Sequence, residues 1–194
     1  VLDEADWLQA DMATNFMQYF PFDTSLANVQ TEVRMTYDDN FLYFGAKMYN
    51  LTKDRQKKDY VTPSLRRDYR GEANDGITLI LDPFRDNTNA FQFGVNPFGV
   101  QREGLIANGG SGRNSLSLSW DNKWFSAARQ YGDYWVAEMA IPFKTIRFNE
   151  GSDRWNVNFY RIDSEEGERS TWAPIPRNYR IISLAYIGRL IWDK

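Results

Sequence analysis

Residues 41–49, Phe-Leu-Tyr-Phe-Gly-Ala-Lys-Met-Tyr, place Leu42, Phe44, Ala46 and Met48 at every second position and leave Lys47 and Tyr49 on the opposite phase. A period of two is the pleat of a β-strand with one face buried. Working outward, Ile77, Leu79 and Leu81 alternate with Thr78 and Asp82, and Phe91, Phe93 and Val95 alternate with Gln92, Gly94 and Asn96. Each run reads as a half-buried strand. Residues 32–37, 135–141 and 155–162 follow the same logic, and Asp38-Asp39-Asn40 supplies turn chemistry between the first two strands. The spacing predicts about nine to eleven strands. The fold class expected is all-β, an antiparallel two-sheet β-sandwich. Helix is expected only over Glu4–Met17, with Asp3 as cap and Pro21 limiting its extent, plus one helical turn after Pro142 at residues 143–146. No repeat, low-complexity tract or Pro-rich linker divides the chain, so residues 1–194 read as one domain. Residues 51–74 are rich in charge and 107–119 in Gly, Ser and Asn, and both read as long loops of the kind that carry binding sites.

Composition closes many routes. With 23 Lys and Arg against 26 Asp and Glu the formal charge is −3, which gives no electrostatic grip on nucleic acid. There is no Cys and no His, which removes disulfides, thiol nucleophiles, the usual zinc sites and His-based triads. No GxxxxGK[ST], GxGxxG or GxSxG pattern is present, nor any apolar run of the roughly 18 to 20 residues that spans a bilayer. Absence of Cys fits the cytosol and an exported protein equally well. Val1 stands where a Met would begin a new chain and runs straight into Leu2-Asp3-Glu4, as expected of a processed piece of a longer protein. Aromatics make up 16% of the chain, so rings must line a core, a ligand face, or both.

Four groups of residues could carry chemistry. Arg70-Gly71-Glu72-Ala73-Asn74-Asp75-Gly76 could bond sugar hydroxyls or a hard cation, or be turn chemistry ahead of a strand. Asp82, Asp86, Asn87 and Asn89 could supply part of the about six to eight oxygens of a calcium site, or form a solvated hairpin turn without the EF-hand spacing. Trp7, Trp120, Trp124 and Trp172 lie outside clear strands, where a ring can stack on a sugar or pin a loop to the core. Glu138 sits mid-strand, where a structural salt bridge to Arg129 or Arg161 accounts for it better than catalysis does. Glycoside hydrolysis needs two carboxylates at a set separation, and 26 acids supply too many pairs to single one out.

The order of several segments resembles a known family. Residues 2–7 (Leu-Asp-Glu-Ala-Asp-Trp), 31–33 (Thr-Glu-Val), 37–43 (Tyr-Asp-Asp-Asn-Phe-Leu-Tyr) and 74–76 (Asn-Asp-Gly) come first. They are followed by Leu81-Asp82, residues 93–97 (Phe-Gly-Val-Asn-Pro), Gly99, residues 135–144 and residues 156–161. Together they resemble the family 9 carbohydrate-binding module and its relatives, over nearly the whole chain, and most of all the version at the N-terminus of uncharacterised Bacteroidetes-type outer-membrane proteins. The resemblance implies a β-sandwich that binds an oligo- or polysaccharide without catalysis, with two rings clamping a terminal sugar and calcium stabilising loops. Carried over by position, the first ring falls near Glu72, with Tyr69 the nearest aromatic, and the second falls after Trp172, near Tyr179. The polar clamps fall at Thr78, Gly94 and Tyr160. A ring replaced by Glu72 and a guanidinium replaced by Gly94 are departures from the family pattern. Related sandwiches hold haem through Met with His or Lys, but none of Met12, Met17, Met35, Met48 or Met139 stands out as a ligand, and haem is not expected.

The candidate ligand-binding residues are therefore Tyr69, Glu72, Asn74, Asp75, Tyr160, Trp172 and Tyr179, with Asp82, Asp86, Asn87 and Asn89 for calcium. The reading is a non-catalytic carbohydrate-binding module of a bacterial envelope or polysaccharide-utilisation protein, extracytoplasmic and associated with the outer membrane, with a C-terminal β-barrel in the same protein. The alternatives are a domain that docks on that barrel or on another protein with the sugar site lost, and a glycoside hydrolase. Phe44, Phe91, Phe93, Trp135 and Phe159 fall on the inward phase, which leaves Tyr69, Trp120, Trp124, Trp172 and Tyr179 for a ligand.

Overall fold

In the computed structural model, which describes residues 2, 4–50, 59–149 and 151–191, the alternating segments form thirteen strands. They are β1 (Met12–Ala13), β2 (Met17–Phe20), β3 (Thr31–Tyr37), β4 (Phe41–Tyr49), β5 (Gly76–Asp82), β6 (Ala90–Val95) and β7 (Gln101–Ile106). The remainder are β8 (Leu116–Ser117), β9 (Phe125–Gln130), β10 (Tyr134–Pro142), β11 (Arg154–Asp163), β12 (Glu168–Thr171) and β13 (Gly188–Ile191). The count exceeds the nine to eleven expected because β1 and β8 are two-residue strands, too short to show a period. One sheet runs β1-β3-β4-β10-β9, the other β2-β12-β11-β5-β6-β7-β8, and every pairing is antiparallel. β11 is long enough to pair twice on one edge, with β13 through residues 154–157 and with β12 through residues 160–163.

Between the sheets lie Leu42, Phe44, Ala46 and Met48 of β4 and Trp135, Ala137, Met139 and Ile141 of β10. They face Ile77, Leu79 and Leu81 of β5, Phe93 and Val95 of β6, and Val157 and Phe159 of β11. Phe44 meets Phe159 across the interface with ring centroids 5.7 Å apart. Each Val, Leu, Ile, Phe or Met among them contributes about 1.5–3 kcal/mol on burial, so this layer is a main source of the driving force. At one end the interior turns polar. There Arg161 is almost fully buried and bonds Asp163 at 3.0 Å, Asn50 Oδ1 at 3.3 Å and the Gln30 carbonyl at 3.3 Å. Glu168 beside it accepts Gln18 Nε2 at 2.6 Å and the Asn28 N–H at 3.0 Å.

Two expectations are corrected. The N-terminal helix, α1, spans only Ala5–Gln9; Ala10 is extended, and residues expected in its second half pair instead as β1 with β3 and as β2 with β12. Trp7, on that short helix, lies over Gly45 of β4. The suggested cap, Asp3, lies outside the described residues. The second correction concerns β5, which is buried at all seven positions and not on one face only. Its outer face packs Ile80 with Ala90, Ile106, Tyr160 and Ile162 beneath Ile182 and Leu184 of the C-terminal segment. The expected turn at Asp38 is present, with Oδ1 accepting the N–H groups of Asn40 and Phe41 at 2.7 Å each, as is the helical turn at Phe143–Thr145.

Gly110 locks that C-terminal cover in place. Its φ is +75°, and a Cβ there would overlap the Ile182 carbonyl. Gly110→Ala is expected to destabilise the fold by at least about 2 kcal/mol, from left-handed strain plus the clash with backbone. Urea denaturation checks this, and an unchanged midpoint would show that the cover is not tightly seated.

Candidate functional site

The cover stops short of one corner of the larger sheet, and there the outer face opens into a cleft of about 480 Å³. Its floor follows from strand register. Thr171, Tyr160, Thr78, Gly94 and Arg102 stand side by side across β12, β11, β5, β6 and β7. Direct cross-strand partners share a face, so this row points outward, away from the core residues Phe159, Leu79 and Phe93. Tyr160, Ile162 and Arg102 reach the cleft from the floor. Tyr19 of β2, Arg169 of β12, Leu116 of β8 and the 3-10 turn at Gly71–Ala73 wall it, and Arg180 with Ile181 and Ile182 close it from above.

The wall at residues 68–72 is pinned to β7. Asp68 N–H donates to the Gln101 carbonyl at 3.0 Å, and Asp68 Oδ1 accepts the Glu103 N–H at 3.1 Å. Arg102 Nε donates to the Tyr69 carbonyl at 3.0 Å. Gly71 lies flat on that guanidinium, where a Cβ would come within 3.2 Å of Arg102 Cζ. Across the cleft, Arg180 Nη1 donates to Ser115 Oγ at 2.6 Å, and the Tyr19 hydroxyl donates to the Tyr179 carbonyl at 2.6 Å. Burial pushes the Tyr19 hydroxyl up in pKa, against Arg169, Arg177 and Arg180, which pull it down. Those three guanidinium groups therefore sit close enough to act on one phenol.

Of the seven ligand-binding candidates, the fold brings Glu72 and Tyr160 into this cleft and uses the others elsewhere. Tyr69 is buried behind the wall, with 6% of its surface exposed, so its ring offers no face to a sugar. Asn74 is buried and donates to the Arg70 carbonyl at 2.9 Å. Asp75 accepts the Val61 N–H at 2.8 Å and the Ser164 N–H at 2.6 Å, tying two loops to the start of β5. Trp172 packs on Phe159, centroids 5.4 Å apart, and Tyr179 stands edge-on to Tyr186 at 4.9 Å, outside the cleft lining. Trp124 belongs to the core, and Trp120 packs on Phe91 at 5.2 Å. Glu138 lies opposite Gly45 in the smaller sheet, while Arg161 is committed to Asp163 in the other.

Of the residues proposed for calcium, Asp82, Asp86 and Asn87 direct side-chain oxygens at N–H donors of the chain. Asp82 Oδ1 accepts the Arg85 N–H at 2.7 Å, and its Oδ2 takes the Asn87 N–H and Asn156 Nδ2 at 3.0 Å each. Asp86 Oδ1 accepts the N–H groups of Thr88 and Asn89 at 2.7 and 2.9 Å, and Asn87 Oδ1 takes Asn156 Nδ2 at 3.0 Å. Burial tends to raise the Asp86 carboxyl, but the amides of Asn89 and Thr88 hold it below its ordinary pKa. These oxygens brace a turn through N–H donors, with Asn156 Nδ2 standing between Asp82 Oδ2 and Asn87 Oδ1. Among the described residues no group of three or more acidic side chains is arranged to hold a metal.

Solved structures share this architecture. A candidate carbohydrate-binding protein from Bacteroides uniformis superposes with a TM-score of 0.70 at 13% identity, over 95% of this chain and 87% of the other. A family 9 carbohydrate-binding module from Caldicellulosiruptor kristjanssonii in complex with cellotriose gives 0.65 at 10% identity, over 98% and 86%. The complex of a module of that family and source with glucose gives 0.63 at 11%, over 98% and 87%. The fold is that of the family 9 carbohydrate-binding modules. No protein-family model and no curated protein sequence matches the chain. Arg102 stands directly opposite Gly94 in the same outward-facing row, one strand over.

Sequence reasoning missed Tyr19, Asp68, Arg102, Arg169 and Arg180. The one local signal was Arg102-Glu103, adjacent charges inside a strand that has two buried faces.

Burial raises the Tyr69 pKa, with Tyr160 adding to the rise and Arg102 opposing it. Below about pH 10 the phenol is neutral folded and unfolded, so its contribution is fully present; above that the unfolded state ionises first and stability falls. Tyr69→Phe should therefore lose less stability than the parent between about pH 8 and pH 11, by roughly 1 kcal/mol. Equal losses in urea titrations at the two pH values would contradict the buried placement of this ring.

Proposed function

We propose that this chain binds carbohydrate, without catalysis, in the cleft on the outer face of its larger sheet. The observation that carries the reading is the cleft itself: about 480 Å³, floored by Tyr160 and walled by Tyr19, Glu72 and arginines, on a fold whose solved examples include complexes with cellotriose and glucose. Its volume lies in the about 300–1,000 Å³ typical of ligand pockets. Phenol, carboxylate and guanidinium groups around the Tyr160 ring and Ile162 are what a polyhydroxylated ring needs, since each hydroxyl both donates and accepts. Asp68 and Glu72 are the carboxylates in the lining. Asp68 braces the wall through the Glu103 N–H, which favours binding over turnover. The ordered resemblance to N-terminal domains of outer-membrane proteins supports an envelope location, with a barrel in the same protein as partner.

The test is retention of the chain on a panel of immobilised polysaccharides, with product analysis of the same mixtures. At least one polysaccharide should retard it, with no shortened products, and Tyr19→Ala should weaken that retention about tenfold, since a stacking or bonding aromatic is worth over 1 kcal/mol. Failure of every polysaccharide to retard the chain would overturn the reading, and shortened products would replace it with hydrolysis.

A further inference from the structure

The charge inside the cleft has the opposite sign to the chain as a whole. Arg70, Arg102, Arg169 and Arg180 converge on it from four separate segments, against two carboxylates, in a chain of net charge −3. Among the described residues none of the four forms an ion pair. The anchors of three are neutral. Arg102 is held by the Tyr69 carbonyl, Arg180 by Ser115 Oγ and the Gly112 carbonyl, and the Arg169 guanidinium lies 5.7 Å from the Phe20 ring centroid. Neutral acceptors fix a guanidinium's direction and leave its charge uncompensated. Arg102 shows this most sharply, because only 7% of its surface is exposed. Its guanidinium faces the cleft and not the packed core, so a counter-charge carried in by a ligand can reach it. Asp68 is engaged by the Glu103 N–H, and Glu72 lies exposed on the rim.

The aromatic side of recognition is correspondingly thin. The ring positions that would clamp a neutral sugar hold Glu72 and a Tyr179 that stands outside the cleft, while Tyr69 and Trp172 are packed into the fold. We infer that the ligand of this cleft is an acidic saccharide, whose carboxylate or sulfate is received by Arg102 with Arg169 and Arg180. The guanidinium fork matches both anions, donating two parallel N–H bonds to adjacent oxygens. The inference rests on the carbohydrate-binding reading and deepens it.

Calorimetric titration of the 194-residue chain with cellotriose, trigalacturonate and a sulfated chondroitin disaccharide separates the possibilities. At least one acidic sugar should bind ten times more tightly than cellotriose or better, and which one identifies carboxylate or sulfate as the source. Raising NaCl from about 20 to about 300 mM should weaken the acidic sugar at least threefold, because screening acts on the charge and spares a neutral ligand. Arg102→Gln should lower the preference for the acidic sugar over cellotriose about tenfold. Arg169→Gln with Arg180→Gln, both away from the core, gives the same readout if the first variant does not fold. Cellotriose binding as tightly as both acidic sugars overturns the inference and leaves the carbohydrate reading standing. Binding of none of the three overturns the acidic ligand and counts against the reading itself. Acidic binding that ignores both salt and the arginine variants overturns the assignment to these residues.

Discussion

β5, with all seven of its residues buried, makes the larger sheet an interior layer, so each of its faces needs a cover. On one side the cover is the smaller sheet, and the cost of ordering both is offset by the hydrocarbon packed between Phe44, Trp135, Leu79 and Phe159. On the other it is a length of chain without regular strands, Ile182 and Leu184 over Ile80 and Ile106, admitted by the close approach at Gly110. That second cover is shorter than the sheet, and the cleft is the part of the outer face it leaves open. The site thus follows from a mismatch in length between a sheet and its lid.

The same geometry separates two kinds of buried charge. Inside the polar end of the sandwich, Arg161 meets Asp163 at 3.0 Å, and burial, which pulls its pKa down, is opposed by Asp163, then Asp75 and Glu168. In that cluster the guanidinium is compensated by carboxylates of the chain itself, and its role is structural. Arg102, two strands away from β5 on the outer face, is also largely buried but lines the cleft, and among the described residues its one side-chain hydrogen bond is to the Tyr69 carbonyl. The contrast between a compensated and an uncompensated guanidinium within one sheet singles out the second as a group awaiting an external partner.

How much of this the sequence carries depends on range. The inward phase of β4, β5, β6 and β10 is local, because a pleat repeats every two residues, and Leu42, Phe44, Phe93 and Trp135 are readable from spacing alone. The second buried face of β5 is not, since Ile80 is covered by residues a hundred positions later. For the same reason Tyr69 and Trp172 read as free rings, although the first is walled in by its own loop and β7 and the second by Phe159 and Gly188. The oxygens of Asp82 and Asp86 suggest a cation until the N–H donors that face them are known. Glu72 and Tyr160 both line the cleft, whereas its arginines come from segments up to 110 residues apart, Arg102 and Arg169 on strands and Arg70 and Arg180 on connecting chain, and no local pattern marks them as neighbours.

The central claim, that ligand is received by guanidinium groups on the outer face of the larger sheet, is tested most directly by two-dimensional NMR of the arginine Nε–H resonances during titration with trigalacturonate and, separately, the chondroitin disaccharide. The account predicts that the Arg102 and Arg169 signals move with the ligand while that of Arg161, more deeply buried and paired with Asp163, stays fixed. Movement of Arg161, or of signals on the smaller sheet alone, with Arg102 unmoved by either sugar, would contradict it.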